Sequence, residues 1–263
     1  MIHRGRAAWL AGAALFFVLG TGWAQNLRTV HVFVALADNQ HQGIIPVPPK
    51  LGNGEDAERN LYWGSAYGVK TFFTRSADWE RILCTERPKA EVIERCVFKH
   101  RIANVYLTAD AYRGIEIRQA ILDFLDSAAG EGAEALSLPV ASGGQERPIR
   151  GGANLVAYIG HDGLMDFSLP QFPRKKNDVH RDAIVLAYAS KQFFAEPVRA
   201  SGAYPLLWTT GLMAPEAYTL KSALDGWIAG EDNEQIRDRA AGAYDKYQKC
   251  GFHAAHRLLT SGW

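Results

Sequence analysis

This chain of 263 residues has little net charge, few cysteines and only one long apolar run. Its formal charge of +1 gives no electrostatic reason to expect nucleic acid or an anionic membrane as a partner. The sequence also lacks repeats, low-complexity tracts and linkers long enough to separate domains. We therefore predict a single domain over residues 25–263, which is large enough to bury a sizeable core.

The apolar run lies at the N-terminus and has the pattern of a secretory signal peptide. Basic residues Arg4 and Arg6 precede an apolar stretch over 7–20, and residues 22–24 are the Gly-Trp-Ala of a cleavage site. The stretch is too short to span a bilayer, so a retained anchor is the weaker interpretation. We predict a signal peptide over 1–24, a secreted or periplasmic location, and no stable membrane span after cleavage.

The spacing of the three cysteines predicts one disulfide. Cys84 and Cys96 bracket a short charged segment, and export favours a bridge between them over two free thiols. A bridge that closes a loop of this size adds about 3 kcal/mol in the chain-entropy model. Cys250 is left over beside a predicted C-terminal helix, where we expect a structural role rather than a nucleophile.

Five apolar segments predict buried strands, with helical patterns between several of them. The strands are expected over 29–37, 103–109, 155–159, 183–188 and 204–210. Amphipathic helices are expected over 115–128, 191–200 and 233–249. Because strands that alternate with helices form right-handed βαβ units, we predict a three-layer α/β fold with a mostly parallel sheet.

Polar residues follow the predicted strands and should meet at one edge of the sheet, where ligand sites of parallel sheets form. They are Asp38, Asn39, Asp110, His161, Asp162, Ser190 and Thr209. A histidine there can act as a general base toward a nucleophile on the neighbouring strand. We call the expected ligand site at this edge the crevice. Gly163 would let the backbone approach a ligand there closely, and Trp63 and Trp208 could line an apolar pocket in it.

An apolar strand that ends in His161, a second one that leads to Ser190, and a third that ends in Trp208-Thr209 form a pattern similar to a known family. The chain resembles the caspase-like fold shared by caspases, legumains, gingipains and CHAT peptidases, over nearly its whole length. In that family the histidine after the third strand is the general base, and a cysteine after the fourth is the nucleophile. His161 matches the histidine, although Asp162 separates it from the following glycine.

The resemblance places the nucleophile at Tyr188 or Ala189, and neither residue is a cysteine. Alanine cannot attack a carbonyl group, and tyrosine, with a reference pKa of about 10, is a poor nucleophile at neutral pH. The resemblance therefore implies a catalytically impaired peptidase relative that recognises a peptide or protein in the crevice.

Two other interpretations remain open at this point. Ser190 could replace the cysteine, with His161 as base and Asp162 or Asp182 near it, although the Gly-x-Ser-x-Gly elbow that exposes a catalytic serine is missing. Alternatively, His161 and Ser190 could simply cap the ends of a strand and a helix, since serine is a favoured N-cap for the helix expected from Lys191.

The sequence also contains two weak candidates for metal ligands. Residues 53–56 offer oxygen atoms without the regular spacing of a calcium loop. His253 and His256 lie three residues apart near the C-terminus, but the sequence shows no third ligand beside them. We therefore predict no metal and no cofactor.

Overall fold

The computed structural model describes residues 27–132, 134–138 and 145–263, and the predicted signal peptide over 1–24 lies outside them. The strands are β1 Arg28–Ala35, β2 Trp79–Lys89, β3 Val92–His100, β4 Val105–Tyr112, β5 Glu134–Leu138, β6 Gln145–Arg150, β7 Leu155–Ile159, β8 Asp182–Leu186, β9 Tyr204–Thr209 and β10 Leu259–Thr260. The helices are α1 Val69–Arg75, α2 Ile117–Ala129, α3 Ser190–Ser201, α4 Ala217–Ala229, α5 Asn233–Gln248 and α6 Phe252–Leu258.

Eight of the strands form one sheet in the order β10-β9-β8-β7-β1-β4-β3-β2. The five central strands, β9, β8, β7, β1 and β4, are parallel to one another. The outer strands β10, β3 and β2 pair antiparallel, and β5 and β6 form a separate hairpin. The predicted α/β fold with a mostly parallel sheet is confirmed, and the antiparallel strands extend it at both sides.

Helices cover both faces of the sheet, so the fold has three layers. One apolar cluster joins the sheet to α1, α4 and α5, and the other joins the opposite face to α2 and α3. Side chains alternate between these clusters along β1, where Val32 faces the first and Phe33 the second. Since both faces of the central strands are buried, their sequences are apolar throughout instead of alternating with polar residues.

In the described part of the chain, no helix combines the length and the apolar character that a bilayer span requires.

The disulfide predicted from the cysteine spacing is present. Cys84 on β2 lies directly opposite Cys96 on β3, with their Cα atoms 4.1 Å apart, and the two residues are bonded. Cys250, by contrast, is free and exposed after α5, so packing gives it no structural role. The bridge therefore staples the outer antiparallel hairpin of the sheet.

Removing this bridge is expected to lower stability measurably. The variant with both Cys84→Ala and Cys96→Ala should lose about 2–3 kcal/mol of unfolding free energy, because its unfolded chain gains the conformational entropy that the bridge had removed. The loss is limited to this range because the bridge closes a short loop. Urea unfolding in the absence of reductant measures the loss, and Cys250→Ala is the matched control that should leave the curve unchanged. Equal curves for the double variant and the parent would contradict the stabilising role of the bridge.

Candidate functional site

The carboxyl ends of β7 and β8 bring His161 beside the turn that follows β8. His161 lies two residues beyond β7, and Tyr188 lies two residues beyond the neighbouring strand β8. Their rings meet edge to face with centroids 6.0 Å apart. The sheet thus places the predicted base next to the predicted position of the missing nucleophile.

The imidazole of His161 is buried and held by a carboxylate that sequence reasoning missed. Its Nε2 atom lies 2.7 Å from Oδ2 of Asp166, and this oxygen also accepts a hydrogen bond of 3.1 Å from the amide of Gly43. The hydroxyl of Tyr158 donates to the carbonyl of His161 at 2.7 Å. Among the described residues, Nδ1 has no hydrogen-bond partner. The ring is therefore oriented by Asp166, with one nitrogen uncommitted.

Gly160 makes the abrupt exit from β7 possible. Its φ of +153° lies in the region that favours glycine, and a Cβ atom there would sit 2.9 Å from the carbonyl oxygen of Ala35. A side chain at this position would push the chain away from β1. The glycine therefore allows His161 to follow the strand directly.

Asp162 does not orient His161, as the serine-hydrolase interpretation supposed. Its carboxylate turns back to cap the 3-10 turn Gly163–Met165, and Oδ1 accepts a hydrogen bond of 3.1 Å from the amide of Leu164. Oδ2 is buried without a partner in the described part of the structure. Burial is the main reason that the pKa of Asp162 rises to about 7, and the charge of Asp166 raises it further.

Asp182 and Gly163 also differ from their predicted roles. Asp182 begins β8, at the opposite edge of the sheet from His161, where it accepts a hydrogen bond of 2.8 Å from the indole of Trp227. Gly163 is buried, and a Cβ atom there would meet the ring of Phe167 at 2.8 Å. Gly163 therefore serves internal packing and does not offer its backbone to a ligand.

The backbone conformation of the turn after β8 distinguishes the two candidates for the nucleophile position, Tyr188 and Ala189. Ala189 adopts φ +46° and ψ +34°, a left-handed conformation that is uncommon for a residue other than glycine, and α3 starts at the next residue. A sharp strand-to-helix turn of this kind is where an elbow exposes a catalytic nucleophile. Of the two candidates, Ala189 is therefore the one whose backbone has this elbow conformation. Tyr188 precedes it, and burial raises the pKa of its hydroxyl, which makes it a still poorer nucleophile.

Ser190 is fully buried, and its hydroxyl group is already engaged. Its Oγ donates to the carbonyl of Val185 at 2.8 Å and accepts from the amide of Thr209 at 3.0 Å. The Thr209 hydroxyl in turn donates to the carbonyl of Ala187 and accepts from the Ser190 amide at 3.1 Å. Both side chains thus join β9 to the end of β8, and Ser190 is the first residue of α3, not its cap.

Asp110 lies inside the sheet and not in the crevice, because β4 continues past it to Tyr112. Its carboxylate receives hydrogen bonds from Arg95 Nε at 2.5 Å and Arg95 Nη2 at 2.7 Å, and it lies 3.0 Å from Nε2 of His31. Burial alone would raise the pKa of Asp110, but the hydrogen bonds from Arg95 and His31 lower it below the usual range. The residue is a structural anion between β1, β3 and β4.

Asp38 and Asn39 follow β1 at the predicted edge, but they organise the loop that contains them. The Asp38 carboxylate accepts a hydrogen bond of 2.9 Å from the amide of Gln40 and lies 2.9 Å from Nδ1 of His41. The Asn39 side chain exchanges two hydrogen bonds with the backbone of Val47, at 2.8 and 3.1 Å. These contacts fix the loop that supplies Gly43 to Asp166.

The two tryptophans predicted to line the crevice are core residues instead. Trp208 is fully buried in the cluster beneath α2 and α3. Trp63 is buried against the other face, and its indole donates to Glu94 at 2.6 Å. Neither tryptophan therefore lines a pocket at the crevice.

A mostly apolar hollow of about 350 Å³ lies beside Tyr188. Its walls come mainly from the loops after β1 and β9, and they include Ile45, Val47, Leu61, Leu212, Met213 and Tyr244. Ile45 and Leu212 are each 64% exposed, one from each loop. Its volume lies at the lower end of the range of small-ligand sites, and its lining is mostly apolar, as in such sites.

Comparison with protein-family models, with curated proteins and with solved structures found no match to this chain.

Proposed function

We propose that this protein is an exported, catalytically impaired relative of the caspase-like peptidases, which binds a peptide or protein segment at the carboxyl edge of its sheet. The order of the parallel strands along the chain supports the relationship. His161 follows β7, the third of them, and the turn at Ala189 follows β8, the fourth. These are the positions of the base and the nucleophile that the family resemblance implies.

One observation carries the proposal: the ring of His161, oriented by Asp166, contacts Tyr188, and the next residue, Ala189, forms a strained turn. A strained turn costs stability and is retained where it positions a group for function. Alanine supplies no atom that can attack a peptide bond, so the site keeps the geometry of a peptidase without its chemistry. Binding without cleavage is the function that such a site can still perform.

The apolar hollow gives the bound segment a point of recognition. Ile45 and Leu212 expose apolar surface on both sides of it, next to Tyr188. A polypeptide that places a large apolar side chain there would remove this surface from water, which contributes about 25 cal/mol for each Å² buried. The Cys84–Cys96 bridge supports the secreted or periplasmic location, since disulfides persist in oxidising compartments.

Selection of peptides from a displayed library tests the binding function. Peptides that bind the parent should bind Leu212→Asp at least about tenfold more weakly, because the new charge lies at the mouth of the hollow. Ile102→Asp is the matched control, since Ile102 is a 93% exposed apolar residue in the turn before β4, at the other edge of the sheet. Equal peptide affinity for Leu212→Asp and the parent would show that the hollow is not part of the binding site.

Labelling with a fluorophosphonate probe tests the alternative hydrolase that uses Ser190 as nucleophile and His161 as base. We expect Ser190 to remain unmodified, because its Oγ is buried and bonded to Val185 and Thr209. Mass spectrometry of the treated protein locates any adduct. An adduct on Ser190 that disappears in His161→Ala would overturn the impaired-peptidase proposal.

A further inference from the structure

We propose that Glu234, Asp238 and His256 bind a zinc ion on the surface that α5 and α6 share. Glu234 and Asp238 lie one helical turn apart on α5, and His256 comes from α6. Nε2 of His256 lies 3.0 Å from a Glu234 carboxylate oxygen and 3.2 Å from one of Asp238. One ligand atom from each residue lies within 4.8 Å of the other two.

These separations fit the ligand shell of zinc. Bonds of about 2.0–2.1 Å in a tetrahedron place neighbouring ligand atoms about 3.3 Å apart, close to both imidazole–carboxylate distances here. Glu234 and Asp238 are more than half exposed and His256 is about one-quarter exposed. Small rotations of the two carboxylates therefore suffice to admit the ion from solvent, with water as the fourth ligand.

The charge distribution favours a dication at this place. Two carboxylates one turn apart on a helix repel each other. Arg237 lies between them in sequence, but Nε donates to the carbonyl of Leu259 at 2.7 Å and Nη2 to that of His256 at 2.8 Å. Its Nη1 atom is 3.4 Å from the Glu234 carboxylate. Arg237 therefore bonds mainly to the backbone and offsets only one of the two carboxylate charges. The same bonds hold His256 against α5 before any ion binds.

The donor set selects among metals. One imidazole nitrogen with two carboxylate oxygens suits zinc, whereas calcium and magnesium prefer oxygen ligands alone. The sequence shows only His253 and His256, because the two carboxylates lie about twenty residues earlier in the chain. Because α6 packs against α5, the fold brings Glu234 and Asp238 next to His256, which the sequence pattern did not indicate.

Calorimetric titration of the full chain with zinc, after removal of metals by a chelator, tests the site. We expect one zinc ion per chain near neutral pH, with affinity reduced at least about tenfold in His256→Ala and in Asp238→Asn. His253→Ala, on the same helix, is the matched control and should bind like the parent. Zinc should also raise the melting temperature of the parent but not of His256→Ala, because the ion binds the folded chain.

The competing outcome is an ion pair without metal binding. Absence of saturable zinc binding in the parent would establish it and overturn the proposal. Binding that survives in His256→Ala and Asp238→Asn, or that His253→Ala weakens equally, would show that the ligands are not these three residues.

Discussion

Replacing Ala189 with cysteine, in a chain that also carries Cys250→Ser, is expected to create a thiol about tenfold more reactive toward iodoacetamide than an ordinary cysteine near neutral pH. The thiol would stand on the strained turn at the N-terminus of α3, beside the strand that carries His161. The positive end of the helix favours the thiolate, and so would a protonated His161, whose ring contacts that of the preceding Tyr188. Alkylation rates followed by mass spectrometry over a range of pH give the pKa of the thiol.

Two further variants in the same background separate the site from a generally exposed thiol. Adding His161→Ala should return the alkylation rate at position 189 to that of an ordinary cysteine. The thiol of Tyr188→Cys should be alkylated more slowly than that of Ala189→Cys, since Tyr188 precedes the turn and is half-buried. An unreactive thiol at position 189, or one indifferent to His161, would mean that the crevice is not a degraded peptidase site.

Replacing Asp162 with asparagine is expected to stabilise the protein above neutral pH by at most about 4 kcal/mol. The folded protein holds the pKa of this carboxyl at about 7, above its ordinary 3.8. A raised pKa in the folded state stabilises the protein below pH 3.8, and this contribution is lost as the pH rises toward 7. Asparagine keeps the oxygen that caps the 3-10 turn but cannot ionise, so it avoids the loss.

Urea unfolding at pH values on both sides of this window measures the effect. The advantage of Asp162→Asn should be small in acid, grow through the window and level off above neutral pH. Asp178→Asn is the control, because Asp178 is fully exposed and its ion pair with Lys175 contributes little. A stability difference that does not change with pH would contradict the buried, partly protonated carboxyl.

The central strands could be predicted because burial on both faces leaves an unmistakable apolar run. The segment 155–159 coincides with β7. The β2–β3 hairpin was missed, since much of β2 is exposed and its charged residues resemble a solvated loop. Its pairing depends on contacts with β3 and α1, which periodicity along one strand does not reveal.

From the sequence, only those site residues that directly follow a buried strand could be identified. His161 follows directly from the end of β7, but Asp166 reaches it through a 3-10 turn that no hydrophobic pattern signals. Asp110 was misplaced because a charged residue looks like the end of a strand, whereas Arg95 on β3 neutralises it inside the sheet. Ala189 and Tyr188 could not be distinguished, since alanine gives no sign that its backbone is left-handed.

Incubation of the parent protein with a diverse peptide library, followed by mass spectrometry of every product, tests the central claim most directly. The claim is that an oriented histidine faces a nucleophile position that is occupied by alanine. It predicts that all peptides are recovered intact, including those that bind at the hollow. Peptide cleavage by the parent protein that is lost in His161→Ala would contradict it.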